Sequence, residues 1–298
     1  MRVTMNTMYE RIKNDLFRLT EKLDKYNAQI SSGKIYQTPS DAPVKLTHAL
    51  GIRNTISDLD QYKRNITYAK GWLSVTENVM ISIEDRLQRA KELALQGAND
   101  TQNGDTRRAI ATEVKTILEE VVSLGNTKFG KRFVFAGTKT QGFKEDEMPF
   151  QMDNSGNVTY HGNTEDIELN ISPGNKQKIN LDGKTSIMDS NTFKALKDLY
   201  DSLMANSQPN IENAIEKLDK SLIYVSNQVA QLGAMANSID VKEELNETSH
   251  IANKEILSNI EDADMIEAIT TLNATQTAYQ AALGAASKVM KVTLADYL

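Results

Sequence analysis

ITTLNATQTAYQAALGAASKVMKVTLADYL, residues 269–298, decides how the rest of this chain is read. From Ala268 through Ser287 no residue is charged, in a protein that is 25% charged. Eight of those twenty residues are Thr, Asn, Gln or Ser, too polar a mixture for a helix that spans hydrocarbon. The larger side chains fall at Ile269, Leu272, Gln276, Tyr279, Leu283, Ala286 and Met290, in steps of three and four that make the heptad seam of a coiled coil. Beyond Met290 the spacing stretches to Leu294 and then Tyr297, a stutter in the repeat. The other face carries Ala274, Ala278, Ala281, Ala282 and Ala285, where a surface helix would carry Lys and Glu. Such a helix is expected to be buried in an assembly and not in its own monomer.

A partner for it lies at the other end of the chain. Met5, Met8, Ile12, Leu16, Leu19, Leu23, Tyr26 and Ile30 follow the same spacing, with one stutter between Ile12 and Leu16. The two seams span roughly 38 Å and 42 Å at the α-helical rise. Matched lengths at opposite ends imply that the termini zip together, and these seventeen seam positions are the candidate assembly interface. Two ordinary amphipathic helices packing in a core would explain the spacing but not the scarcity of charge.

Between the ends, SSGKIYQTPSDAP (Ser31–Pro43) stops one helix and starts another. Pro43 suits a first helical turn, and Ser40 or Asp41 would cap it. An apolar pattern then runs from Val44 to about Ala98, which only a long bundle can bury. The polar turn Asn99–Thr106 leads to a helix over 106–128 that folds back antiparallel. At Arg132 the period changes, and alternation in Ile167, Leu169, Ile171 and in Ile179, Leu181 predicts a small β region to about Met188. Asp153–Asn157 is its clearest hairpin turn. Helical spacing resumes at Phe193, breaks at Asn206–Pro209, and runs again from Ile211 to about Ile260, where Gly233, Ala234 and Ala236 allow close helix approach. The expected fold is mainly α with a small inserted β module, an elongated nested helical hairpin. Residues 1–42 and 258–298 would form a terminal coiled coil, 43–131 and 190–257 a long-helix rod, and 132–189 an outer β domain.

Several chemistries are excluded. Net charge is −6, which argues against nucleic acid as the main partner. There is no cysteine, hence no disulfide framework and no thiolate metal site. His48, His161 and His250 lie on different elements without the i,i+4 pairing of a zinc helix. Gly183-Lys184-Thr185 ends like a phosphate loop, but the position that requires glycine holds Lys178. The 153–157 segment lacks calcium-loop spacing. Glu145-Asp146-Glu147 and Glu261-Asp262 read as solvated faces. No enzyme and no cofactor are expected. The opening MRVTMNTMYERIKNDL has no apolar core of a secretory signal, so the expectation is cytoplasmic residence or export by a signal-peptide-independent machine.

Particular residues then resemble a family. Gln29-Ile30-Ser31-Ser32-Gly33-Lys34, Pro39-Ser40-Asp41-Ala42-Pro43, Gln61-Tyr62, Asn65, Trp72-Leu73 and Thr76-Glu77 are similar to the flagellin N-terminal region. Ser258, Glu261-Asp262-Ala263-Asp264, Gln276 and Tyr279–Leu283 are similar to its C-terminal region. Phe133–Thr140, Pro149-Phe150 and the ending Ala295–Leu298 resemble the hook-associated protein 3 family within that superfamily. Where the family often has Asp-Asp-Pro, this chain has Asp41-Ala42-Pro43, which shifts the expected cap to Asp41 or Ser40. The resemblance implies a structural adapter at the hook–filament junction, in a ring of about eleven copies. It implies hook-associated protein 1 and flagellin as neighbours, and an export chaperone on the C-terminal region. Export would run through the flagellar type III apparatus to an extracellular place on the bacterial flagellum. The nearest alternative is flagellin, the filament subunit itself; a coiled-coil scaffold explains the helices but not the motifs.

Overall fold

The computed structural model describes residues 5–38, 40–99, 103–143 and 147–295, with side chains over 7–288 of these. Among the described residues there are six α-helices: α1 (Met5–Ser32), α2 (Pro43–Ala98), α3 (Gly104–Gly125), α4 (Thr192–Met204), α5 (Gln208–Glu261) and α6 (Met265–Ala295). The described residues between α3 and α4 form six short strands: β1 (Lys128–Phe129), β2 (Arg132–Phe133), β3 (Phe150–Met152), β4 (Val158–Tyr160), β5 (Glu168–Ser172) and β6 (Asn175–Lys178). Contacts divide the chain into two compact units, residues 59–248 and residues 1–58 with 249–298.

In the middle unit, 59–248, the two long helices bury side chains at strict seven-residue spacing. On α2 these are Leu59, Ile66, Leu73, Met80, Leu87 and Ala94; on α5 they are Leu218, Val225, Leu232 and Ile239. A seven-residue period keeps one seam facing its partner along a long helix, as in a coiled coil. Ion pairs flank the seam: Lys63–Glu247 at 2.8 Å, Lys70–Asp240 at 2.8 Å, Lys70–Glu243 at 2.7 Å and Lys91–Asp219 at 2.6 Å. Ascending numbers on α2 meet descending numbers on α5, so the helices run antiparallel. Helix α3 adds Ile110, Val114, Ile117 and Val121, and α4 adds Phe193, Leu196, Leu199 and Leu203 to one continuous core. At one end, the buried Arg107 guanidinium donates to Gly97 O (2.8 Å) and Asn206 Oδ1 (2.6 Å), tying the α2–α3 turn to the α4–α5 turn.

The strands make three separate antiparallel hairpins, β1–β2, β3–β4 and β5–β6, not one continuous sheet. They have two to five residues each, at or below the usual strand length. The 153–157 turn is as expected: the Asp153 carboxylate accepts from the Ser155 and Asn157 amides at 2.9 and 2.8 Å, and Phe150 pairs with Tyr160. Helix α3 ends at Gly125, three residues before the expected Lys128. A Cβ at Gly125 would collide with the Phe150 ring. The Asn126 side chain then takes both hydrogen bonds of Phe150, donating to its carbonyl at 2.8 Å and accepting from its amide at 2.9 Å. Gly183-Lys184-Thr185 begins a short helical turn, Lys184–Met188, with Asp182 Oδ1 accepting from the Thr185 amide at 2.8 Å. Among the described residues no helix is long and apolar enough to cross a membrane, and no cluster of acidic and histidine side chains could hold a metal.

Candidate assembly interface

The unit formed by residues 1–58 and 249–298 is organised by α1 and α6, which pack against each other. Their meeting is fixed at one end by a clasp of residues from the two ends of the sequence. Gly33 leaves α1 with φ +70°, a conformation that glycine adopts without steric penalty. Its carbonyl accepts from the Ala263 amide at 2.9 Å, and the Ile35 amide donates to Glu261 O at 2.7 Å. Lys34 and Asp262 form an antiparallel bridge between them. The end of α1 therefore lies beside the start of α6, and the helices run antiparallel.

Side chains lock the same junction. Lys34 Nζ lies 2.7 Å from Asp262 Oδ1 and 3.3 Å from Glu261 Oε2, and Arg53 reaches Glu261 Oε2 at 2.7 Å. The Asp262 bond raises the Lys34 pKa above its ordinary value, and Lys34 holds the Asp262 carboxyl below its own. Gln29, itself buried, donates to Ile35 O at 2.9 Å. Asp264 Oδ1 accepts from the Ile266 and Glu267 amides and caps α6. Glu261, read from sequence as part of a solvated face, is instead 3% exposed. Its burial follows from two cations closing over one carboxylate oxygen, a tertiary arrangement that no local pattern announces. Asp41 also departs from expectation. Its carboxylate accepts from the Gln37 and Thr38 amides (2.9 and 2.8 Å), bonds that hold its pKa low, and so serves the turn before α2.

The predicted seam residues divide into groups. On α1, Ile12, Leu16, Leu19, Leu23, Tyr26 and Ile30 are half-buried, whereas Met8 is exposed. On α6, Leu272, Tyr279 and Ala286 turn inward with Ala268, Thr275 and Ala282, while Ile269, Gln276 and Leu283 point outward. The inner seam of α6 thus keeps every second expected position and is shifted by one residue at the others, 268, 275 and 282 replacing 269, 276 and 283. Ala268, Thr275 and Ala282 share the less exposed side of α6 with Leu272 and Tyr279. The Thr275 hydroxyl is satisfied within its own helix, donating to Thr271 O at 2.7 Å. Ile269 and Leu283 remain 45% and 44% exposed. Met5, Met290, Leu294 and Tyr297 have side chains outside the described residues.

Residues 3–140 match the bacterial flagellin N-terminal helical region, and residues 215–298 match the bacterial flagellin C-terminal helical region. Both halves of the clasp fall inside these matches. The chain belongs to the flagellin superfamily. Within it, the chain is 25% identical to flagellar hook-associated protein 3 of Escherichia coli K12, over 99% of this chain and 98% of that protein. It is also 25% identical to flagellar hook-associated protein 3 of Salmonella typhimurium LT2, over 94% of each. The crystal structure of Bacillus cereus FlgL shares the fold, with a TM-score of 0.59 and 24% identity over 70% of this chain and 99% of that one. Residues 141–214, with four of the strands and α4, lie outside both flagellin matches.

Proposed function

We propose that this flagellin-superfamily chain is an extracellular structural part of the bacterial flagellum, the adapter at the hook–filament junction on which flagellin polymerises. The observation that carries the reading is the outward turn of bulk on α6: Ile269 and Leu283 are exposed while the neighbouring Ala268, Thr275 and Ala282 take the inner positions beside Leu272 and Tyr279. A helix that served only its own chain would keep such bulk inside and carry charge outside. The seam positions on α1 and α6 are the assembly interface in this reading. Copies of the chain form a ring of about eleven, between hook-associated protein 1 and the first flagellin subunits. An export chaperone holds the C-terminal helix until the type III apparatus passes the chain outward. The near-complete mutual coverage with hook-associated protein 3 of two bacteria supports this assignment over filament subunit.

Deletion of the gene tests it. Cells should keep hooks, lack filaments and release flagellin monomers into the medium. Hooks without filaments and without secreted flagellin would identify the chain as the filament subunit instead.

A further inference from the structure

The seam of α5 does not stay apolar. At seven-residue spacing it reads Leu218, Val225, Leu232, Ile239 and then Asn246. Asn246 is 8% exposed, so it occupies the next seam position and not the solvent side. Its Nδ2 donates to the Leu59 carbonyl of α2 at 3.0 Å. Its Oδ1 is fully buried and has no hydrogen-bond partner among the described residues. Leucine has the same branched outline and no polar atom to desolvate. A buried asparagine in a helix seam lowers stability relative to an apolar residue, and an unbonded buried carbonyl lowers it further.

The place of this layer in the fold gives it a consequence. Ile66 and Ile239 belong to the continuous apolar core, whereas Leu59, although buried, does not. The Leu59–Asn246 layer is therefore the last of the α2–α5 seam within residues 59–248, beyond the edge of that core. The ion pair beside it, Lys63–Glu247, is about half exposed on both sides, and such pairs contribute little. The opposite end of the helix pair is closed differently. There Leu93 and Ala94 join the core with side chains of α3 and α4, and the buried Arg107 guanidinium donates to Gly97 O and Asn206 Oδ1. One end is shut by apolar packing and a charged tie, the other by an asparagine with an unbonded oxygen.

We propose that the Leu59–Asn246 layer is where the α2–α5 pair begins to unzip, and that Asn246 thereby sets how readily the middle unit is unfolded for passage through an export apparatus. The second half rests on the export reading given under the proposed function. A residue whose contacts break before the unfolding barrier alters the unfolding rate and leaves the refolding rate alone. Asn246 belongs to that class, because its layer lies outside the core that the barrier must still hold.

Trp72 is the single tryptophan and is fully buried in the core, so its fluorescence reports unfolding and refolding of the middle unit. Asn246→Leu and the smaller Asn246→Val are both made, so that crowding in one does not imitate a failed expectation. At least one should raise the Tm, slow unfolding in denaturant roughly tenfold and leave refolding unchanged. At equal cellular amounts, that variant should reach the flagellum and the medium more slowly than the parent chain. A Tm unchanged or lower in both variants, or a gain that appears in the refolding rate, would overturn the unzipping point. Slower unfolding with export equal to the parent's would overturn its link to export. In each case, rescue of a deletion strain by the unaltered chain keeps the junction function standing. A failed rescue would remove that function and the export half with it, while the unfolding rates still decide the unzipping point.

Discussion

The two compact units of this chain are both helical, yet they bury very different things. The middle unit encloses Trp72, Phe135, Phe150 and seven-spaced Leu, Ile, Met and Val side chains from α2 and α5. In the unit of the chain ends, the buried apolar side chains among the described residues are Ala49, Ile52 and Ala268, beside buried Gln29, Glu261 and Thr275. Burial of apolar surface is the dominant favourable contribution to folding, and it offsets an ordering cost of about 1–2 kcal/mol per residue. The middle unit meets that cost from its own side chains. The end unit is held by a polar clasp and a half-buried seam, and leaves Ile269 and Leu283 exposed. The difference is what the proposed assembly requires: a middle that folds on its own side chains and ends that neighbours would complete.

The strongest way to break the comparison is hydrogen exchange on the dilute monomer. Amides of α2 and α5 within residues 59–248 should exchange near the global limit, whereas those of α1 and α6 should open at a free energy lower by several kcal/mol. Equal protection of Leu272–Ala286 would mean that the ends are self-sufficient. Next in size is Phe150→Ala, which removes a fully buried ring that touches Gly125, Tyr160 and Phe193. It should cost about 3–5 kcal/mol, read as a fall in Tm by circular dichroism. A loss below about 1 kcal/mol would show that the strand region does not share the helical core.

How much of this was legible in the sequence depends on the range of the forces involved. Seven-residue spacing in α2, α5 and the α1 seam is a local, periodic quantity, and it is visible because one face of a long helix must be apolar throughout. The outward turn of Ile269 and Leu283 is not local. It is set by whether α1 offers room for bulk at that register, and the reading from side-chain size alone chose the larger residues. Glu261 is similar: an acid beside another acid reads as solvated until Lys34 and Arg53 arrive from more than 200 positions away. Asp41 had two turns to serve, and helix-capping preference alone could not tell which. The end of α3 was decided by Phe150, whose ring fills the place of a Cβ at Gly125 and whose backbone bonds to Asn126 across 24 positions, and neither contact has a signature within the helix.

Leu283→Asp sharpens the contrast between exposure in the monomer and the proposed burial in the assembly. Leu283 is 44% exposed, so the monomer Tm should move little, within about 0.5 kcal/mol of stability. In the assembled ring a carboxylate without a partner at that position should cost several kcal/mol per subunit and abolish filaments. Normal filaments with this variant would show that the outer face of α6 stays solvated. A large fall in Tm would place Leu283 in the monomer's own core.

The smallest expected effect concerns the clasp, and it tests whether polar contacts or neighbours align the ends. Lys34 and Asp262 are both more than a third exposed, so solvent screening limits their pair to under about 1 kcal/mol. The sign follows from the two pKa directions. Asp262 is lowered from 3.8, so its contribution is complete above that value and is lost as pH falls through the lowered one. Lys34 is raised from 10.5, so its contribution is complete below that value and is lost as pH rises through the raised one. Between these limits the pair is independent of pH. Asp262→Asn should therefore speed exchange of α1 and α6 amides slightly at neutral pH and remove the further loss seen in acid. The Tm of the middle unit, which contains neither residue, should not move. If Asp262→Asn instead releases α1 from α6 entirely at neutral pH, the clasp is the main fastener of the chain ends, and the half-buried seam contributes less than its length suggests.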